Sequence, residues 1–115
     1  MTEPNRIDTD ICAKPLLITI NGTRLATTQQ AVVLLERNYP PRYYIPRQDV
    51  DMTLLTRSET RTFCPFKGEA TYYSFGNIDD VAWSYETPMT ERSDITKALC
   101  FANESWFLWP EGAPE

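Results

Sequence analysis

Short apolar stretches alternate with turn-forming residues along the chain, a texture that predicts strands more often than helices. Leu16-Leu17-Ile18-Thr19-Ile20 and Thr23-Arg24-Leu25-Ala26 flank Asn21-Gly22. A two-residue type I′ turn needs positive φ at both central positions, which Asn-Gly adopts at least cost, so a hairpin is expected there. Tyr43-Tyr44-Ile45 reads as a short strand halted by Pro46. Residues 60–63 and 69–75 are rich in aromatic and β-branched side chains, as strands are. A strand over 81–86 is expected after a five-residue connection at 76–80, and a final pair over 98–101 and 105–109, joined around Asn103. Residues 49–55 fit a strand or a helical turn equally.

One segment carries helical spacing. Thr27 or Thr28 can cap a helix whose Gln30 completes a capping box, with Ala31, Leu34 and Leu35 on one face. That short helix should end near Asn38, before Pro40-Pro41. The first fifteen residues carry little apolar content and read as a loose arm, leaving 16–115 as a single domain. The expected fold class is therefore mainly β, antiparallel, with one short α-helix.

The chain has 115 residues, room for one hydrophobic core. It contains no histidine, which excludes Ser-His-Asp and Cys-His catalysis and HExxH zinc chemistry. Eleven basic against sixteen acidic residues leave a net charge of -5, a field that repels nucleic acid. No apolar run exceeds that of Ala31 to Leu35, far short of a membrane span, and the N-terminal residues lack a signal-peptide pattern. Cys12, Cys64 and Cys100 are odd in number and widely spaced, as reduced thiols are. The protein is expected to be cytoplasmic, without cofactor or metal, a monomer or homodimer, with a small-molecule ligand as its partner rather than nucleic acid or membrane.

The densest motif is Thr62-Phe63-Cys64-Pro65-Phe66-Lys67-Gly68-Glu69-Ala70-Thr71-Tyr72-Tyr73. Strand alternation places Lys67, Glu69, Thr71 and Tyr73 on one face, with Phe66, Gly68, Ala70 and Tyr72 on the other. Gly68 and Ala70 leave room for another backbone, side chain or ligand to approach. Together with Tyr43-Tyr44-Ile45-Pro46, Asp49-Val50, Leu54-Leu55, Ala82-Trp83-Ser84-Tyr85, Pro88 and Phe101, this block resembles a bacterial family, the domain of unknown function numbered 427. The resemblance runs from about Leu16 to Trp109. It implies a β-tent fold, two antiparallel sheets leaning together around an inter-sheet pocket. Other β-tent families hold zinc through two Cys-x-x-Cys pairs, and this sequence has none. The nucleotidyltransferase-like label sometimes given to the family finds no support in the residues. There is no glycine-rich phosphate loop, and Asp49 with Asp51, or Asp79 with Asp80, are the nearest approaches to a magnesium-binding pair.

The functional expectation is a pocket for a small polar, anionic molecule lined by Lys67, Glu69, Cys64, Tyr44, Tyr72 and Trp83, with Lys67 as the charged anchor. A lysine set among aromatic rings is short of water, which strengthens its hold on an anion. The structural alternative is a salt bridge from Lys67 to Glu69 or Glu86. Glu36 on the expected helix either faces solvent or turns toward Lys67 or Arg42. Arg42 and Arg47 flank the Tyr43 strand and can grip an anion bidentately. Two rival functions stand beside this one. An enzyme would use Cys64 or Lys67 covalently, although Cys64 is equally explained as a small buried hydrophobe. A protein-interaction module would pair through its β edges or through the apolar Trp106-Phe107-Leu108-Trp109, a segment that otherwise seals the core as a last strand.

Overall fold

The computed structural model describes residues 7–110, apart from the side chain of Glu91. Among these residues ten strands form two antiparallel sheets: β1 (Ile7–Cys12), β2 (Leu16–Ile20), β3 (Thr23–Thr28), β4 (Ala31–Glu36), β5 (Arg42–Ile45), β6 (Thr56–Cys64), β7 (Gly68–Phe75), β8 (Ile78–Ser84), β9 (Leu99–Phe101) and β10 (Phe107–Leu108). The large sheet runs β1-β4-β5-β9-β8-β7-β6 and the small one β10-β2-β3. The mainly β, two-sheet architecture expected from the sequence is the architecture observed.

The β2–β3 hairpin forms as its turn chemistry requires. Asn21 and Gly22 hold φ of 52° and 81°, so both central residues are left-handed, as in a type I′ turn. Residues 49–55 resolve into two 3-10 turns, Arg47–Asp49 and Met52–Leu54, with Val50 bridging back to Ala26.

The expected helix is not formed. Ala31–Glu36 is strand β4, paired to β1 on one side and β5 on the other. The hydroxyl counted as a helix cap is used elsewhere: Thr28 Oγ1 accepts from Gln30 N at 3.0 Å and donates to Asp49 Oδ2 at 2.7 Å, tightening the β3–β4 turn. Two β-branched valines and a ladder on each edge outweigh a weak helical spacing. Asn38, expected as the helix end, takes φ of 71° in the turn to β5, where Tyr39 N donates to Glu36 O at 3.0 Å.

Three further boundaries differ from expectation. Ile7–Cys12, within the supposed loose arm, is an edge strand of the large sheet, while residues 1–6 lie outside the described residues. The β7–β8 connection has two residues rather than five, because Phe75 pairs with Ile78 across Gly76 and Asn77. Gly76 has φ of 57° and takes the first central position, the glycine site of a type II′ turn. Finally, β9 and β10 do not pair with each other. β9 inserts between β5 and β8, whereas β10 joins β2 in the small sheet after a 3-10 turn at Glu104–Trp106.

Two cores result, one on each face of the large sheet. Between the sheets, Leu16, Ile18, Ile20 and Leu25 pack against Ile45, Tyr73, Val81, Leu99 and Phe101, with Trp106, Phe107 and Trp109 closing the rim. On the opposite face Val32, Leu34, Tyr44, Ala70, Tyr85, Ile95, Ala98 and Cys100 form a second cluster, with Tyr72 and Trp83 against it. Alternation along β5 and β9 separates the two: Ile45, Leu99 and Phe101 go one way, Tyr44 and Cys100 the other. The second face is a trough, because the large sheet curls around it. From β4 to β7 there are four inter-strand steps, roughly 19 Å if flat. Side chains from the two ends of that span nevertheless touch. No helix among the described residues is long and apolar enough to cross a membrane.

Candidate functional site

The turn from β6 to β7 places the lysine. Lys67 N donates to Cys64 O at 3.2 Å, closing a turn with Pro65 at its second position, where a fixed φ is favourable. Gly68 follows with φ of 115°, a conformation that side chains resist. The segment Thr87-Pro88-Met89 packs over it: a Cβ there would stand at ordinary contact distance, 3.4 Å from Pro88 Cα and 3.5 Å from Thr87 O. Met89 N donates to Lys67 O at 2.9 Å, clamping the lysine backbone from outside. Lys67 thus sits in the turn rather than in the strand, and the alternation that grouped it with Glu69 does not apply. Its side chain enters the trough on the face of Ala70 and Tyr72, while Glu69 is exposed opposite Phe63 and lines no part of the site.

Within the trough, Lys67 Nζ lies 3.3 Å from Glu36 Oε1, the two side chains retaining only 11% and 14% exposure. The expected partners of Lys67 are engaged elsewhere or out of reach. Glu86 binds Arg47 at 3.0 Å and Arg57 at 3.8 Å and accepts from the Tyr73 hydroxyl. Burial pushes the Glu86 carboxyl up, but the Tyr73 hydroxyl and the two guanidiniums outweigh it and hold the group below its ordinary range. Glu36 meets Lys67 because strand parity puts it on the same face as Val32 and Leu34.

A cavity of about 270 Å³ opens beside this pair, lined by Glu36, Arg42, Cys64, Lys67, Tyr72, Trp83 and Tyr85, with Tyr39 and Pro40 from the turn after β4. Lys67 Nζ stands 5.8 Å from the Tyr85 ring centre, and the Arg42 guanidinium 5.4 Å from that of Trp83. Such cation–ring contacts hold both charges without neutralising them. Tyr72 and Trp83 are register partners with ring centres 6.1 Å apart. Trp83 Nε1 donates to Tyr44 Oη at 3.4 Å, fixing the indole from below. Tyr44 itself is fully buried and supports the wall rather than lining it. Burial, with a contribution from Cys100, raises its phenol above the ordinary range. Burial and the neighbouring Cys64 do the same for Tyr85.

Of the six residues expected to line one pocket, the structure brings Lys67, Cys64, Tyr72 and Trp83 together, sets Tyr44 behind Trp83, and leaves Glu69 outside. Arg42 joins the site, while Arg47 is occupied by Glu86 and by the Lys97 carbonyl, to which its Nε donates at 3.0 Å. Glu36 and Tyr85 complete the walls. The parity of Val32, Leu34 and Glu36 was the signal for Glu36, obscured by reading the segment as a helix. Cys100, 0% exposed, has its thiol pushed up to about 12 by burial. The walls carry two cations, Lys67 and Arg42, against one carboxylate, Glu36. That surplus suits a monoanion flanked by rings. No group of three or more potential metal ligands is found among the described residues.

The space between the sheets holds a second cavity, which shares Arg42 with the trough. It measures about 310 Å³ and is bordered by Tyr43, Phe101, Phe107 and Trp109, with Glu104 and Arg42.

No curated protein matches the sequence. A family model described as Domain of unknown function (DUF427) matches residues 8–111, which covers both the Cys64-to-Gly68 turn and every residue that lines the trough. The chain belongs to the domain of unknown function 427 family.

Proposed function

We propose that this protein binds a small carboxylate-bearing molecule in the trough, its carboxylate held between Lys67 and Arg42 and its body against Tyr72, Trp83 and Tyr85. The observation that carries the reading is the pairing of two cations with a single carboxylate in one ring-walled recess. Glu36 orients the ammonium of Lys67, and Arg42 is left with a ring face rather than a counter-ion within the recess. Low access to water strengthens both contacts. The cavity volume suits a compact metabolite-sized ligand, and an overall charge of -5 favours a local cationic recess over a nucleic-acid surface. Cys12, Cys64 and Cys100 are free thiols, in keeping with a reducing, cytoplasmic setting. Calorimetric titration with mono- and dicarboxylates, phosphate monoesters and the matching neutral amides tests the proposal. Saturable binding of a carboxylate and none of its amide is expected; equal behaviour of acid and amide would remove the anion site.

A second reading, covalent enzyme chemistry, is favoured by one observation: Cys64 shares the cavity wall with Lys67. The ion pair to Glu36 opposes a free-amine role for Lys67, since its nitrogen is already engaged with Oε1 at 3.3 Å. Iodoacetamide labelling of Cys64 much faster than a model thiol would support this reading, and sluggish labelling would count against it. Association through the β6 edge is disfavoured by Arg61, whose Nη1 donates to the carbonyls of Ser58 at 2.9 Å and Thr60 at 2.7 Å.

A further inference from the structure

The cavity at the mouth between the sheets has a chemistry of its own. Tyr43 of β5 stands at 76° to both Phe107, 5.7 Å away, and Trp109, 6.0 Å away, measured between ring centres. Rings set steeply to one another around one void offer it π surface from several directions, and the negative face of a ring attracts cations. Glu104 is the carboxylate on the lining. The 3-10 turn that carries it is capped by Asn103 Oδ1, which accepts from Ser105 N at 2.9 Å and Ser105 Oγ at 2.8 Å. Arg42 borders the same cavity, but its guanidinium lies over Trp83, so its charge is drawn toward the trough. The Trp109 ring already attracts one ammonium, that of Lys14 at 5.5 Å.

We infer that this cavity is a second binding site and that it takes a small quaternary-ammonium compound. A primary ammonium brings three N–H donors, for which the side chains of the lining offer only the Tyr43 hydroxyl and the Glu104 carboxylate as oxygen acceptors. A quaternary nitrogen has none to satisfy: its methyl groups pack on Tyr43, Phe107 and Trp109, and Glu104 balances the charge. Burial, Cys12 and Glu104 together raise the Tyr43 phenol, which agrees with the carboxylate being close enough to act on the cavity. The inference does not depend on the trough being a carboxylate site.

The test is a calorimetric titration of the full chain with choline and, in parallel, with its uncharged carbon isostere 3,3-dimethylbutan-1-ol. Saturable choline binding at millimolar concentration or below is expected, about tenfold tighter than the isostere. Glu104 is exposed, so Glu104→Gln should fold normally, verified by an unchanged melting temperature, and should weaken choline by about tenfold. The Lys67→Met/Glu36→Gln double variant should leave choline binding unchanged, which separates this site from the trough. Equal affinity for choline and isostere, no saturable binding of choline, or indifference to Glu104→Gln would each overturn the assignment.

Discussion

Lys67 and Glu36 are 31 residues apart in sequence and come from β4 and the turn into β7, four strand steps apart in a curled sheet, yet their side chains meet at 3.3 Å. The contact closes the trough and stations the one lysine of the site next to its one carboxylate. Both side chains are largely withdrawn from water, so each is the other's principal compensation for burial.

Breaking that pair should be costly, and breaking it symmetrically much less so. Lys67→Met leaves Glu36 without its partner and is expected to destabilise the fold by about 2–3 kcal/mol. Adding Glu36→Gln should recover at least half of the loss, because no uncompensated charge then remains. Urea unfolding of the two single variants and the double variant provides the cycle. Strict additivity would show that the two groups do not interact energetically.

Gly68 is constrained twice, by its φ of 115° and by the overlying Thr87-Pro88-Met89 segment. Gly68→Val is expected to cost about 2 kcal/mol or more from backbone strain, before any displacement of the Met89 clamp. Gly68→Ala should cost less, since its Cβ would meet Pro88 Cα only at ordinary contact distance, 3.4 Å. Thermal melts that place Gly68→Val within error of the parent would show that the turn tolerates a side chain.

Trp83 joins the packing and the ligand arguments. Trp83→Ala removes the ring paired with Tyr72 and covered by Arg42, and should destabilise by about 2–3 kcal/mol. Trp83→Phe should recover most of that stability but release Tyr44, whose hydroxyl accepts from the indole. Calorimetric melting of both variants checks the order. An unchanged melting temperature in Trp83→Ala would place the indole outside the packed trough.

Glu86 gives a pH dependence with a definite sign. Its folded-state pKa lies below the ordinary value of 4.5, so its ionised form contributes stability above that value, and the contribution is lost as pH falls through the folded pKa. Glu86→Gln should therefore destabilise by about 1 kcal/mol at neutral pH, with a gap to the parent that narrows under acid conditions. Chemical unfolding of both proteins across the acid range measures this, and a gap that widens on acidification would contradict the assigned partners, Tyr73, Arg47 and Arg57.

Where local chemistry decides the backbone, the residues announced the structure. Asn21-Gly22 specified its turn, Pro46 ended β5, and the Cys64-to-Tyr73 block placed β7 and identified Lys67 as an embedded cation. The departures share a cause, that the deciding contacts are remote in sequence. Residues 31–36 carry mixed helical and strand signals, and only the ladders to β1 and β5 settle them. The apolar tail reads locally as the partner of β9, but its Phe107 and Leu108 pair with Ile18 and Leu17 of the other sheet. The site was legible to the same extent. Lys67, Cys64, Tyr72 and Trp83 can be named from one motif and its neighbouring strand; strand parity gives the face of Glu36, but its meeting with Lys67 and the arrival of Arg42 depend on the curl of the sheet, which no local pattern encodes.

The most direct measurement is a ¹H–¹⁵N titration of the protein with the carboxylate that calorimetry selects, following the Trp83 indole N–H together with the backbone amides of Cys64, Lys67 and Arg42. Saturable shifts confined to those signals, abolished in Arg42→Met, are predicted. Shifts that cluster away from the trough, or that persist undiminished in Arg42→Met, would contradict the assignment of this recess as an anion site.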